Sequence, residues 1–226
     1  MNKKALCLWS GGKDSHLALK KIRNEGYSVE LLLAFFDART RLSFSHRLPA
    51  RLLRDQAALI GVYMQEVYVA REEYEQRLRD ILMSLAPQGI DHAVFGDIYL
   101  EEHKVWNERV CRESGVTPIF PLWGQSIDSI VEEQREFKSI IVSVDRSKLE
   151  KQWLGKEVDD RFRQTLATAG LDFCGEKGEY HTFVVHSPLM KGRIQLERWK
   201  EHSYDSYVGI DIQQWSVVKE QIAAEV

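Results

Sequence analysis

Apolar residues in the first half of this chain come as short runs separated by stretches of helical period. Residues 4–10 form an apolar run that reads as a strand, and residues 14–25 carry apolar positions at helical spacing as far as Gly26. Residues 29–36 are a near-continuous apolar run, interrupted by Glu30, of the kind shown by a strand buried on both faces. The alternation continues with a helix over 50–60 ended by Gly61, a strand over 63–69 and a helix over 72–86. A short strand over 92–96, a helix over 101–114 ended by Gly115 and a strand over 117–120 follow. Strands spaced by helices imply right-handed crossovers and therefore an α/β fold with a doubly wound parallel sheet. Ligands bind such sheets beyond the carboxyl ends of the strands.

After Pro121-Leu122-Trp123-Gly124 the pattern changes. A helix over 126–136, a strand over 139–144 and a helix over 158–169 precede a run of short alternating strands from 180 to 218. That is α+β composition, so the chain is expected to divide into residues 1–125, a parallel-sheet domain, and residues 126–226, a smaller α+β domain.

The richest stretch is Ser10-Gly11-Gly12-Lys13-Asp14-Ser15, which follows the first strand and opens the first helix. Adjacent glycines let backbone approach an anion, and the first N–H groups of a helix lack intrahelical partners and point at it with the dipole behind them. Ser10 and Ser15 add hydroxyl donors and Lys13 a full charge, so a nucleotide phosphate is expected here. The spacing is neither G-x-x-x-x-G-K-[ST] nor G-x-G-x-x-G. A tight strand-to-helix turn would explain the glycines and Asp14 but not Lys13 with both serines.

Composition narrows the class. With 226 residues and 44% hydrophobic content, the chain can bury a substantial core. Its net charge of −3 gives no global field for nucleic acid or an anionic membrane. Its apolar runs fall far short of the roughly 20 residues a bilayer span needs, and no secretory leader pattern is read in the opening residues. Cys7, Cys111 and Cys174 are dispersed and odd in number, which points to a reducing compartment, and the cytoplasm is inferred. Cys7 is expected to pack in the first strand. Cys174, beside a polar glycine-rich stretch, is the one candidate for reactivity.

Three further clusters sit where ligands are expected. Gly96-Asp97 closes the fourth strand, and Asp97 either caps the next helix or meets the nucleotide or its magnesium ion. Glu101 and Glu102 suit a helix N-terminus. Residues 37–48, with Arg39, Arg41, Arg47 and His46, form a long loop at the same edge, read either as a lid meeting an anionic substrate or as a solvated basic loop. The segment Cys174-Gly175-Glu176-Lys177-Gly178-Glu179-Tyr180-His181-Thr182-Phe183 carries two glutamates three apart, each beside a glycine. They suit magnesium ligation or capture of an amine, or equally a solvent-exposed turn; a loop of this composition is expected to contribute little to a core.

The loop at residues 10–15 resembles the SGGxDS pyrophosphate loop of the N-type ATP pyrophosphatases. Together with the His46 loop, Gly96-Asp97-Ile98, Phe120-Pro121-Leu122-Trp123-Gly124, Trp153-Leu154-Gly155 and residues 175–183, it is similar to the diphthine-ammonia ligase family, over residues 5 to 192. The resemblance implies an adenine-nucleotide α-hydrolase-like (HUP, Rossmann-like) N-terminal domain. It also implies a family-specific C-terminal domain whose Glu-rich loop faces ATP. The implied reaction is adenylation of a substrate carboxylate, loss of pyrophosphate, and attack by ammonia or an amine, with ATP and Mg²⁺ required.

On the same resemblance Ser10, Gly11, Gly12, Lys13, Asp14, Ser15, Phe36 and Gly96 would bind ATP, with adenine near residues 34–36. Lys13, Asp14, Glu176 and Glu179 would act in catalysis and Asp14 would hold the metal, while His46, Asp97, Gly178 and Thr182 would meet substrate. The acidic residue after Gly96, in Gly96-Asp97-Ile98-Tyr99-Leu100-Glu101, resembles a divergent branch whose substrate need not be diphthine. A carboxylate substrate and ammonia or an amine are the expected partners, neither membrane nor nucleic acid is expected, and a homodimer is left open. Two competing classes are a tRNA-thiolating enzyme, disfavoured by the acidic pI and the lack of paired cysteines, and a nucleotide sensor of the same fold, which would have no need for the two glutamates.

Overall fold

The structure, a computed structural model, describes residues 3–219; the outer ends of the two expected segments, residues 1–2 and 220–226, lie outside it. The first sheet holds β1 (Lys4–Leu8), β2 (Ser28–Asp37), β3 (Met64–Val69), β4 (Ile90–Val94) and β5 (Thr117–Ile119) in the order β3-β2-β1-β4-β5. Every pairing in it is parallel, as the alternating pattern requires. The crossovers carry α1 (Lys13–Asn24), α2 (Ala50–Ile60), α3 (Tyr74–Leu85) and α4 (Glu101–Glu113). The strand order reverses direction between β1 and β4, which puts a crevice beyond their carboxyl ends.

The second sheet, β7-β6-β9-β8, is antiparallel and contains β6 (Lys138–Asp145), β7 (Tyr180–His186), β8 (Gly192–Tyr204) and β9 (Tyr207–Lys219). Two helices, α5 (Ile127–Gln134) and α6 (Asp160–Ala169), precede and follow β6. Where short strands were expected, β8 and β9 form one hairpin of two 13-residue strands. Residues 197–203 of β8 are exposed and residues 213–219 of β9 hold no buried position, so an alternating apolar signal could not reveal the length of either strand.

Strand alternation sorts the core. Ala5, Cys7, Leu32, Ala34 and Phe36 enter one apolar cluster, which runs on through α1 and α2 into the second sheet. Leu6, Leu31, Leu33 and Phe35 enter the other, under α3 and α4. The second sheet therefore packs on the first, and polar ties run along the seam. Val184 N donates to Gly11 O at 3.0 Å, Lys191 N to Leu59 O at 2.8 Å, and Trp215 Nε1 to Asp55 Oδ2 at 2.8 Å.

Candidate functional site

The turn from β1 into α1 is set by glycine. Gly11 has φ +77°, and a Cβ there would lie 2.3 Å from Leu53 and 3.4 Å from Phe183. At Gly12 a Cβ would lie 2.5 Å from His46 and 3.1 Å from Thr182 O. Both glycines thus make room for neighbouring groups of the protein itself. Gln56, fully buried, locks the turn: its Nε2 donates to Gly11 O (3.1 Å) and Val184 O (2.6 Å), and its Oε1 accepts from Trp9 Nε1 (3.1 Å).

The N-terminus of α1 carries no side-chain cap. Lys13 N is taken by Thr182 Oγ1 at 3.1 Å, and the first intrahelical bond is His16 N to Gly12 O. The N–H groups of Asp14 and Ser15 are left to meet a ligand, with the hydroxyls of Ser10 and Ser15, 3.2 Å apart, beside them. Gly96 abuts this end of the helix: a Cβ there would sit 3.1 Å from the Asp14 carbonyl carbon and 3.2 Å from Ser15 N.

Above the turn lies a cavity of about 570 Å³ at the carboxyl edge of the sheet, the size range of small-molecule sites. Ser10, Asp14, Ser15, His46, Gly96, Asp97 and Glu176 all line it. Its opposite wall is aromatic. Phe35, Phe44 and Trp106 lie 4.3, 5.8 and 5.9 Å from the Tyr74 ring, and Arg71 stands 5.5 Å over Phe44. Trp106 is fixed from behind, where Glu75 Oε2 accepts from its indole N–H at 2.8 Å and from Arg109 at 2.7 Å.

Three carboxylates, Asp14, Asp97 and Glu176, line the cavity against one arginine, Arg71. Asp97 takes a hydrogen bond from Asn107 (3.2 Å) and lies 3.4 Å from the His103 ring, whose pKa it raises. Glu176 is pinned by Ile98 N at 2.9 Å, and its pKa is pushed up to about 7, chiefly by burial and then by the nearby Asp14 and Asp97 carboxylates, against the Ile98 bond and Lys13. His46 donates from Nδ1 to Thr182 O at 2.8 Å, and burial lowers its pKa to about 4. His181, its neighbour, is held neutral in the same way.

Several expected site residues sit elsewhere. Lys13 turns inward: its Nζ contacts both Asp14 oxygens, at 3.0 and 2.8 Å, and the Cys174 carbonyl. Burial works against its charge, but Asp14, Tyr180 and Cys174 together outweigh that and the pKa is raised. Phe36, fully buried, faces Tyr68 on the other side of the sheet, and the alternation of β2 brings Leu33 and Phe35 to the cavity instead.

In the Glu-rich segment, Gly178 accepts from Tyr207 OH at 2.9 Å, Thr182 serves as a strut to Lys13 and His46, and neither lines the cavity. Glu179, expected on a loop outside the core, is 3% exposed, pairs with Lys148 at 3.2 Å, and also does not line it. Cys174 is buried with its thiol pushed up to about 12, mainly by burial, so it is not a reactive thiol. The basic loop also spends its charge away from the cavity, with Arg41 stacked 3.4 Å over Tyr68 and Arg47 4.6 Å over Tyr204.

Sequence reasoning missed Arg71, Tyr74, His103, Trp106, Asn107 and His181, all of which line the cavity. The spacing of three and four from His103 to Trp106 and Asn107, in the first two turns, marks one face of α4, a legible signal once α4 is known to start at the sheet's carboxyl edge.

Comparison with known proteins gives a consistent family. The sequence profile of the diphthamide synthase N-terminal domain matches residues 3–118, and that of the diphthamide synthase C-terminal domain matches residues 125–218. A diphthine–ammonia ligase from Bos taurus is 28% identical over 123 residues, 51% of this chain and 46% of the relative. One from Mus musculus is 29% identical over 111 residues, 46% of this chain and 42% of the relative. The chain spans about half the length of the curated relatives it matches. A solved structure described as a predicted subunit of tRNA methyltransferase from Methanocaldococcus jannaschii aligns at a TM-score of 0.45 and 18% identity, covering 80% of this chain and 96% of that one.

Proposed function

This chain belongs to the diphthamide synthase family, and from that premise we propose that it is an ATP-dependent ligase that adenylates a substrate carboxylate, releases pyrophosphate and passes the acyl group to ammonia or an amine. Residues 1–125 supply the nucleotide floor and residues 126–226 the loop that faces it. The single observation that carries this reading is the uncapped α1 N-terminus, with Ser10 and Ser15, at the floor of a cavity whose rim bears Asp14, Asp97 and Glu176.

The N–H groups of Asp14 and Ser15 and the two serine hydroxyls suit a polyphosphate, and they are fixed in place before it arrives. As the substrate carboxylate attacks the α-phosphorus, negative charge grows on the departing pyrophosphate, where these donors lie. Lys13 contributes from below through its pair with Asp14 rather than by direct contact. The aromatic wall of Phe35, Phe44, Tyr74 and Trp106 offers rings for adenine or for the substrate's apolar part and keeps water from the reacting groups. Glu176, titrating near neutrality, can take the proton that an attacking amine must lose.

Among the described residues no three His, Cys, Asp or Glu groups are arranged to hold a metal by themselves. Mg²⁺ carried by a triphosphate asks for only one or two protein carboxylates, and Asp97 fits that need, with Asp14 engaged by Lys13 and by Gln134 at 2.7 Å. The Asp14, Asp97 and Glu176 carboxylates that line the cavity together are a local negative charge that a cation would relieve. Bound there, Mg²⁺ would neutralise phosphate charge as a Lewis acid.

The sulfur-transfer alternative finds no support, because Cys7, Cys111 and Cys174 are all buried. No helix among the described residues is long and apolar enough to cross a membrane. A screen of carboxylic acids with ATP, Mg²⁺ and ammonium, read as pyrophosphate release, tests the proposal. An acid that yields AMP, pyrophosphate and an amide supports it; ADP and phosphate as the products would overturn it.

A further inference from the structure

His46 lines two cavities. One is the site above the α1 N-terminus; the other, of about 220 Å³, lies among Leu42, Val142, His202, Tyr204 and Asp211. A row of rings links them. His46 and His181 are 4.8 Å apart, His181 and Tyr207 5.6 Å, Tyr207 and Tyr204 5.7 Å, and Tyr204 and His202 6.2 Å, with interplanar angles from 14° to 33°. The row begins with residues of the first cavity, His46 and His181, and ends with residues of the second, Tyr204 and His202.

We propose that the second cavity is the inlet for the nitrogen donor, taking ammonium from solvent and passing ammonia beside His46 to the first cavity. The inference rests on the amide-forming reading above. A space of this size holds a few molecules the size of water, each occupying roughly 30 Å³ in the liquid, and is too small for a nucleotide. The Asp211 carboxylate on its lining suits a small cation. Arg47, 4.6 Å over the Tyr204 ring, puts a positive charge on the same wall, which favours the neutral amine over the ammonium.

Beyond it, His46 and His181 are both kept neutral by burial and set no cationic barrier. His46 uses Nδ1 on Thr182 O, so its Nε2 lone pair is free to guide an N–H. A separate inlet also lets ammonia arrive while ATP and the acid fill the first cavity, so that water need not be admitted with it. The atoms balance: ammonium leaves one proton in bulk solvent, the ammonia lone pair forms the C–N bond to the acyl carbon as the C–O bond to AMP breaks, and the surplus proton returns to solvent.

Ammonium chloride is the probe, titrated into the full chain without nucleotide against sodium chloride at equal ionic strength, with the imidazole nitrogens of His46 and His202 followed by NMR. Saturable shifts at both rings are expected, weakened on the order of 10-fold or lost in Leu42→Trp, which fills the cavity, and in Asp211→Asn, which keeps its shape. An absence of saturable shifts in the unaltered protein, or shifts that persist unchanged in folded Asp211→Asn, would overturn the inlet. Failure of ATP turnover would instead sink the ligase reading, because this titration needs neither ATP nor acid.

Discussion

Replacing Gln56 by leucine removes a fully buried side chain that ties the phosphate turn to the second sheet. Its amide makes three buried hydrogen bonds, to Trp9 Nε1, Gly11 O and Val184 O. Gly11 O keeps its bond from Val184 N, so the Trp9 indole N–H is the group left in apolar surroundings without a partner. A buried orphan of that kind costs about 1–3 kcal/mol and each other lost bond about 1 kcal/mol, which totals about 3–5 kcal/mol. For a chain of this length 1 kcal/mol moves Tm by about 2–4 °C, so a fall of about 10 °C is expected by calorimetry.

ATP affinity, measured by titration calorimetry, should fall with it, because the turn that aims the Asp14 and Ser15 N–H groups is loosened. Gln56→Glu sharpens the test by setting a carboxylate against the Gly11 and Val184 carbonyl oxygens. Folding would hold that carboxyl protonated and raise its pKa, so the variant's stability should drop as pH rises above about 4.3. A Tm loss under about 2 °C in Gln56→Leu would show that the seam does not hold the turn, and the reasoning would fail.

Other consequences are as specific. Glu75, whose pKa is lowered to about 2 chiefly by Arg109 and then by Trp106 and Arg79, stabilises the fold above the usual carboxylate range and loses that contribution as pH falls from about 4.3 toward 2; urea midpoints should show that slope, and Glu75→Gln should flatten it. Glu176 has the opposite sign: its raised pKa makes the ligand-free protein lose stability as pH rises from about 4.3 to about 7, a slope that Glu176→Gln removes and a persistent slope in that variant would contradict. Gly96→Ala presses a methyl group on the Asp14 and Ser15 backbone, so ATP should bind about 10-fold more weakly, with calorimetry as the check. Glu179→Gln gives up a charged contact with Lys148, itself part exposed and able to rehydrate, so a loss of about 1–2 kcal/mol in chemical denaturation is expected.

The parallel sheet was legible because strands buried on both faces write themselves as apolar runs, and helices between them end at Gly61 and Gly115. The β1 turn was legible as a strand-to-helix turn because the apolar run stops at a glycine pair and helical spacing resumes after it. What the sequence hid depends on contacts across long separations. Lys13 finds the Cys174 carbonyl 161 residues away, and Glu179 is buried because its backbone O accepts from Asp145 N, which draws the segment into the second sheet. Phe36 was misplaced by one step of strand parity, which carries a side chain to the opposite face. The His103, Trp106 and Asn107 face was missed because a helix shows its apolar stripe toward the core in sequence, but not which end of the sheet its first turns overlook.

A crystal structure with Mg²⁺ and the non-hydrolysable α,β-methylene analogue of ATP tests the central claim most directly. The account predicts phosphate oxygens on the N–H groups of Asp14 and Ser15 and the hydroxyls of Ser10 and Ser15, with the rest of the nucleotide in the cavity walled by Phe35, Tyr74 and Trp106. Phosphates bound anywhere else, with the α1 N-terminus left to solvent, would contradict it.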